Sequence, residues 1–149
     1  MPNATARLIQ PGDVAALTEL LAAIDPTHFH PHPLTGDEAR RLVAYRGLDV
    51  YAVLPADGEL VAYGILRGWD EGFSVPSLGI AVHPDHQQLG YGRLMMRWLE
   101  NQARLRGAER IRLRVHPENV AARRLYESLG YVAAGEERGE TLMTLELAR

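Results

Sequence analysis

The chain has 149 residues, 46% of them hydrophobic and 23% charged, with a formal net charge of −3 and no cysteine. That length suits one domain able to bury roughly 70% of its unfolded surface, so a core forms without staples. The missing cysteines exclude a disulfide framework, thiolate metal sites and a cysteine nucleophile, and the total charge gives no footprint for nucleic acid. Residues 1–10 lack the apolar core of a signal peptide, and no apolar run approaches the ~18 residues of a membrane span. A reducing, cytoplasmic setting is therefore expected.

In chain order, Thr5 to Gln10 reads as a short strand, and Pro11-Gly12-Asp13 as a turn whose aspartate caps a helix from Val14 to Ile24. Three prolines between Asp25 and Pro33 forbid a continuous helix and predict a loop. Thr35 followed by Glu38 is a capping box for a helix to about Arg46, ended by Gly47. Leu48 to Leu54 and Glu59 to Arg67 are hairpin strands around Ala56-Asp57-Gly58. After a loop from Gly68 to Phe73 comes an apolar central strand, Leu78 to Val82. Gly90 to Arg106 is a helix with Leu94, Met95, Trp98, Leu99 and Leu105 toward the core, stopped at Gly107. Arg110 to Val115 alternates apolar and basic residues as a strand does. Asn119 to Leu129 is a helix ended by Gly130, and Tyr131 to Ala134 and Thr141 to Leu147 close the chain as strands about a turn at Gly139. The order is strand, two helices, three strands, helix, strand, helix, two strands: an α/β domain built on one sheet, spanning residues 1–149.

The most informative segment is Ile80-Ala81-Val82-His83-Pro84-Asp85-His86-Gln87-Gln88-Leu89-Gly90-Tyr91-Gly92. A strand ends, proline breaks the ladder, and a glycine-containing loop opens a helix whose first N–H groups lack partners and carry partial positive charge. Such a start binds phosphate, and Gly90 and Gly92 lack the Cβ that would hold oxygens away. Further on stands Asn119-Val120-Ala121-Ala122-Arg123-Arg124-Leu125-Tyr126-Glu127-Ser128-Leu129-Gly130-Tyr131. The two segments, in this order, resemble the signatures of the GNAT N-acetyltransferase superfamily. Gln87 to Gly92 matches Gln/Arg-x-x-Gly-x-Gly/Ala, and Asn119 to Tyr131 matches Asn-x-x-Ala-x-x-Leu-Tyr-x-x-x-Gly-Phe/Tyr.

The resemblance implies a mixed, mostly antiparallel twisted sheet with a splayed central parallel strand pair and about four flanking helices. It implies acetyl-CoA as co-substrate, with no metal, and an acetyl group moved to a primary amine by direct attack. Ile80, Ala81 and Val82 would pair with the pantetheine arm. The amides of Gln88, Leu89, Gly90, Tyr91, Gly92 and Arg93, after Gln87, would hold the pyrophosphate. Asn119 would contact the cofactor, with a second reading as a simple helix cap. Arg123 or Arg124 would reach the 3′-phosphate. Tyr126 would be the general acid that protonates the leaving sulfur, with core packing as its bland alternative.

One part of the family pattern is missing. Where relatives often place a basic glutamate, this chain reads Ser77-Leu78-Gly79-Ile80 on the central strand and Arg114 five residues before Asn119. The substitutes are a water chain from Ser77 or a backbone carbonyl, Asp70 or Glu71, framed by Trp69 and Phe73, as base or as anchor for a cationic acceptor, or a histidine of the early loop. His28, His30 and His32 alternate, so in an extended segment their imidazoles would converge to line the acceptor or, less economically, hold zinc. From Arg93 to Arg124 there are nine arginines and in the whole chain no lysine, which suits phosphate contacts or merely solvated faces. Alternatives are a catalytically weak acyl-CoA-binding or sensor module and transfer to a hydroxyl. The acceptor, a small amine or a protein N-terminus, is left open. The apolar strand Leu142 to Leu147 is expected to offer an edge for a homodimer.

Overall fold

The computed structural model describes residues 4–147. Its elements are β1 (Arg7–Leu8), α1 (Val14–Ala23), α2 (Gly36–Ala44), β2 (Val50–Ala56), β3 (Glu59–Arg67), β4 (Ser77–Val82), α3 (Tyr91–Leu105), β5 (Arg110–Val115), α4 (Val120–Ser128), β6 (Val132–Glu137) and β7 (Glu140–Glu146). The order is the one expected from sequence. Several boundaries move for local reasons. Asp13 does not cap α1; its carboxylate accepts from both Arg7 guanidinium nitrogens at 2.7 and 2.9 Å and from Gln10 N–H at 2.7 Å, closing a one-turn 3₁₀ helix. Thr35 does cap α2, accepting from Glu38 N–H at 3.2 Å, but the helix stops at Ala44, because Tyr45 turns extended.

The strands form one seven-stranded sheet in the order β1-β2-β3-β4-β5-β7-β6. Every pairing is antiparallel except β4 with β5. The last strand in sequence is therefore interior: β7 pairs with β5 on one side and β6 on the other, and β6 is the edge. The expected dimer edge along Leu142 to Leu147 does not exist, since both sides of that backbone are already paired.

Both sheet faces are covered, so β2 and β3 read as continuous apolar runs. From one face Val53, Tyr63 and Ile65 pack on Leu17, Leu20 and Leu21 of α1 and Leu42 of α2. From the other Ala52, Leu54, Ala62 and Leu66 meet Met95, Met96 and Leu99 of α3. A Cβ on Gly64 would come within 2.9 Å of both Met95 and Leu99, so glycine lets α3 lie close on β3. The buried stripe of α3 is Tyr91, Met95, Met96, Leu99, Glu100 and Ala103. Leu105, expected inside, is 72% exposed, because the stripe runs one position away from it. Glu100 is fully buried and satisfied: Arg97 donates to it at 3.1 Å and the Tyr131 hydroxyl at 3.1 Å.

Candidate active site

The parallel pair carries the site. β3 and β4 hold register over six residue pairs, from Arg67 with Ser77 to Ala62 with Val82. β4 and β5 share only Ser77 with Arg112, supported by Arg112 N–H to the Pro76 carbonyl at 3.1 Å. Beyond that pair the strands part, leaving the β5-facing backbone of β4 open to a ligand strand or arm. A cleft of about 580 Å³ fills the gap, within the usual range for a small-molecule site.

One wall of the cleft is the turn between β4 and α3. Pro84–His86 forms a one-turn 3₁₀ helix whose start is held by His83 Nδ1, which accepts from Asp85 N–H at 3.1 Å. Gln88 then has φ 63° and Gly90 φ 89°, two left-handed residues within three positions immediately before α3. Such alternation turns successive N–H groups inward to form an anion-binding concavity at a helix start. Ile80, Ala81, Val82, Gln87, Gln88, Gly90, Gly92 and Arg93 all line the cleft, as expected. Leu89 and Tyr91 do not: Leu89 is 53% exposed, and the Tyr91 ring packs in the core. Gly92 serves packing more than phosphate approach, since a Cβ there would meet Leu125 at 3.3 Å and Val82 at 3.7 Å.

Asn119 caps α4, its side chain accepting from Ala122 N–H at 3.3 Å, and also borders the cleft. Arg93 donates to Ser128 at 2.8 Å, tying α3 to α4. Arg123 pairs with Glu127 at 3.3 Å, and neither it nor Arg124 lines the cleft. Tyr126 stands on the cleft-facing side of α4, 6% exposed, and among the described residues its hydroxyl has no hydrogen-bond partner. No sealed polar side-chain atom among the described residues lacks a partner, so the hydroxyl must open onto the cleft. Burial pushes this phenol up to about 12, which keeps it a neutral donor at pH 7.

A second cavity of about 740 Å³ lies on the other side of the β4 start. Arg67, Arg112 and Arg114 line it together with Asp49, Asp70, Glu71 and Glu140, and Phe29, Tyr51 and Phe73 supply aromatic walls. The two cavities share His28, Phe29, Leu78, Gly79 and Arg114, so they meet at one junction.

The expected acceptor residues separate here. Ser77, Glu71 and Arg114 face the cavity, Arg114 with Glu140 at 3.9 Å. Asp70 borders it but is committed: its carboxylate accepts from the Tyr45 hydroxyl and from Leu48 N–H at 2.8 Å. The Tyr45 hydrogen bond holds Asp70 below the usual carboxylate range. Neighbouring Asp49 accepts from the N–H groups of Gly68, Trp69 and Asp70 at 2.9–3.3 Å, while burial raises its pKa. These acids pin the loop, and Trp69 packs on the core instead of framing a ligand.

The three early histidines do not converge. His32 turns away, its Nε2 against the Tyr63 hydroxyl at 2.8 Å and its Nδ1 near the Pro33 carbonyl at 2.7 Å. His30 sits on the second cavity with Nδ1 at 3.0 Å from the Pro26 carbonyl. Only His28 reaches the junction, where its ring meets His116 at 4.8 Å between centroids, tilted by 36°. Sequence reading missed His116, although its position between β5 and the Asn119 cap was a signal that it faces the cleft.

Comparison with known proteins agrees with this fold. The sequence profile of the acetyltransferase (GNAT) family matches residues 15–131. The chain is 31% identical over 144 residues to an L-methionine sulfoximine/L-methionine sulfone acetyltransferase of Salmonella typhimurium, covering 89% of this chain and 82% of that protein. It is 44% identical over 79 residues to the ribosomal protein bS18-alanine N-acetyltransferase of Escherichia coli K12, covering 52% of this chain and 51% of that one, about half of either length. An acetyltransferase of Salmonella typhimurium solved with its cofactor acetyl-CoA superimposes with a TM-score of 0.80 at 25% identity, covering 99% of this chain and 95% of the other.

Proposed function

Because the chain belongs to the GNAT acetyltransferase family, we propose that it moves the acetyl group of acetyl-CoA to a primary amine by direct attack, without an acetyl-enzyme intermediate. The observation that carries this reading is the single shared register pair of β4 and β5 beside the left-handed Gln88 and Gly90. An open strand edge suits an amide-bearing arm, and an inward-turned helix start suits a diphosphate. Ile80 to Val82 would pair with the arm, the amides from Gln88 to Arg93 would bind phosphate oxygens, and Asn119 would border the cofactor while it caps α4. Acetyl-CoA supplies an activated thioester. Tyr126 holds a proton at its hydroxyl, ready to meet charge that develops on sulfur. The acceptor enters through the larger cavity and meets the thioester at the junction of the two.

Relatives named for L-methionine sulfone and for the alanine of ribosomal protein bS18 make α-amino groups the first acceptors to try. The test is a panel of L-methionine sulfone, free amino acids, alanine-starting peptides and polyamines, with acetyl-CoA and a readout of free CoA. Release that accelerates with an amine supports the transferase. Arg114, standing where a base is often found, favours the second reading, an acyl-CoA sensor. Tight binding of acetyl-CoA with no acceleration by any amine would select it, and acetylation of a hydroxyl alone would select the O-transfer variant.

A further inference from the structure

We propose that His28 is the general base of this site and that His116 is the residue that positions it; this rests on the transferase reading above. An alkyl ammonium must lose a proton before it can attack a thioester, and neutral imidazole is the side chain suited to take it near pH 7. Of the candidate bases named from sequence, Ser77, Asp70, Glu71 and His30 border only the acceptor cavity, and His32 borders neither. His28 lines both cavities, so it stands where an acceptor nitrogen must pass to reach the sulfur cleft.

The neighbouring groups give His28 its task. His116, from the loop between β5 and α4, lies 4.8 Å away ring to ring. Its Nδ1 accepts from Glu118 N–H at 3.1 Å, which places the proton of the neutral ring on Nε2. That hydrogen bond makes His116 a fixed platform, whereas among the described residues no hydrogen bond holds either nitrogen of His28. Asp25, on the same loop, also lines the cleft. Arg114, from β5, shares the junction and disfavours an acceptor that stays cationic. Arg67, Arg112, Asp49, Asp70, Glu71 and Glu140 are the other charged groups on the acceptor side.

The protons balance as follows. The first leaves the ammonium for His28 and passes to solvent. The free amine forms the C–N bond as the C–S bond breaks, and the sulfur takes a proton from Tyr126. The second nitrogen proton, lost as the amide forms, restores the phenol through solvent, and the third stays on the amide.

The test compares two acceptors of nearly the same shape, which the aromatic walls Phe29, Tyr51 and Phe73 can accommodate. Benzylamine is an ammonium at pH 7; phenylhydrazine is neutral and needs no proton removed before it attacks. With acetyl-CoA consumption read by chromatography, His28→Ala should lower turnover of benzylamine by about 10²-fold or more and leave phenylhydrazine within a few-fold of the native enzyme. His116→Ala should reproduce part of the benzylamine defect and His116→Phe, which keeps a ring at that position, should restore most of it. The Kd of acetyl-CoA should move by no more than a few-fold in all three, far less than the turnover of benzylamine. Equal losses with both acceptors, or none with either, would overturn the assignment. A native enzyme that binds acetyl-CoA and turns over neither probe nor any panel amine would instead sink the transferase reading, and the base assignment with it.

Discussion

Two tyrosines in ring contact separate chemistry from stability. Tyr126 and Tyr131 lie 6.0 Å apart, centroid to centroid, and both are buried. The Tyr131 hydroxyl donates to Glu100, a carboxylate fully shielded from solvent. Removing it in Tyr131→Phe leaves Glu100 with Arg97 alone, and a hydrogen bond to a charged group is worth about 1.5–3 kcal/mol. For a chain of this length each kcal/mol moves the melting temperature by about 2–4 °C, so a fall of roughly 3–12 °C is expected. The Tyr126 hydroxyl has no partner among the described residues, so Tyr126→Phe removes no protein hydrogen bond and should stay within about 0.5 kcal/mol of native stability. Its cost falls on catalysis, where loss of a general acid lowers kcat by roughly 10²-fold or more. Thermal unfolding followed by circular dichroism, with kcat from CoA release, reads both quantities. If Tyr126→Phe melts several degrees lower and keeps its kcat, the hydroxyl is structural and the role given to it is wrong.

Two further substitutions probe the cofactor turn and the first strand. Gly90 holds φ 89°, and a Cβ there costs about 1–2 kcal/mol, so Gly90→Ala should weaken CoA binding by calorimetry several-fold; unchanged affinity would remove the turn from the phosphate site. Asp13 is held below the usual carboxylate range first by its hydrogen bond from Arg7, against the opposing effect of burial. A depressed folded pKa stabilises above the unfolded value and is lost as pH falls through the folded one, so the melting gap between native and Asp13→Asn should be full at pH 7 and close below about pH 4. A gap that stays constant down to pH 3 would show that the Arg7 pair contributes nothing.

The element order was legible because punctuation is local. Proline breaks, Thr35 and Asn119 caps, and Gly130 at φ 99° each act within a few residues of themselves. What was not legible depends on partners far along the chain. Glu100 reads as surface until Tyr131 arrives from 31 residues away to satisfy it. The α3 stripe takes in Met96, Glu100 and Ala103 and leaves Leu105 exposed, while Gly64, in another strand, lets Met95 and Leu99 seat close. β7 reads as an edge by virtue of being last, yet β6 folds back outside it.

The same distinction separates the two halves of the site. The proposed cofactor half is made chiefly of backbone: an open strand edge, a broken ladder and left-handed residues before a helix, all written in consecutive residues from Ile80 to Arg93. The proposed acceptor half is made of side chains from the early loop, the start of β2 and the residue before it, β3, the loop after it, β4, β5 and β7. Which of these side chains face the junction depends on how a proline-rich loop crosses the sheet, and Arg67 fixes that crossing by donating to the Pro31 carbonyl at 3.1 Å. Alternation within the loop predicted three histidines together. The tertiary contacts instead separate them, sending His32 to Tyr63 and His28 to His116, a residue 88 positions later in the chain. Sequence reading could name an early-loop histidine as a candidate base but not which one faces the junction, whereas the proposed diphosphate turn is written in consecutive residues. Chains can share that turn and still differ in how they deprotonate an acceptor and in which acceptor they admit.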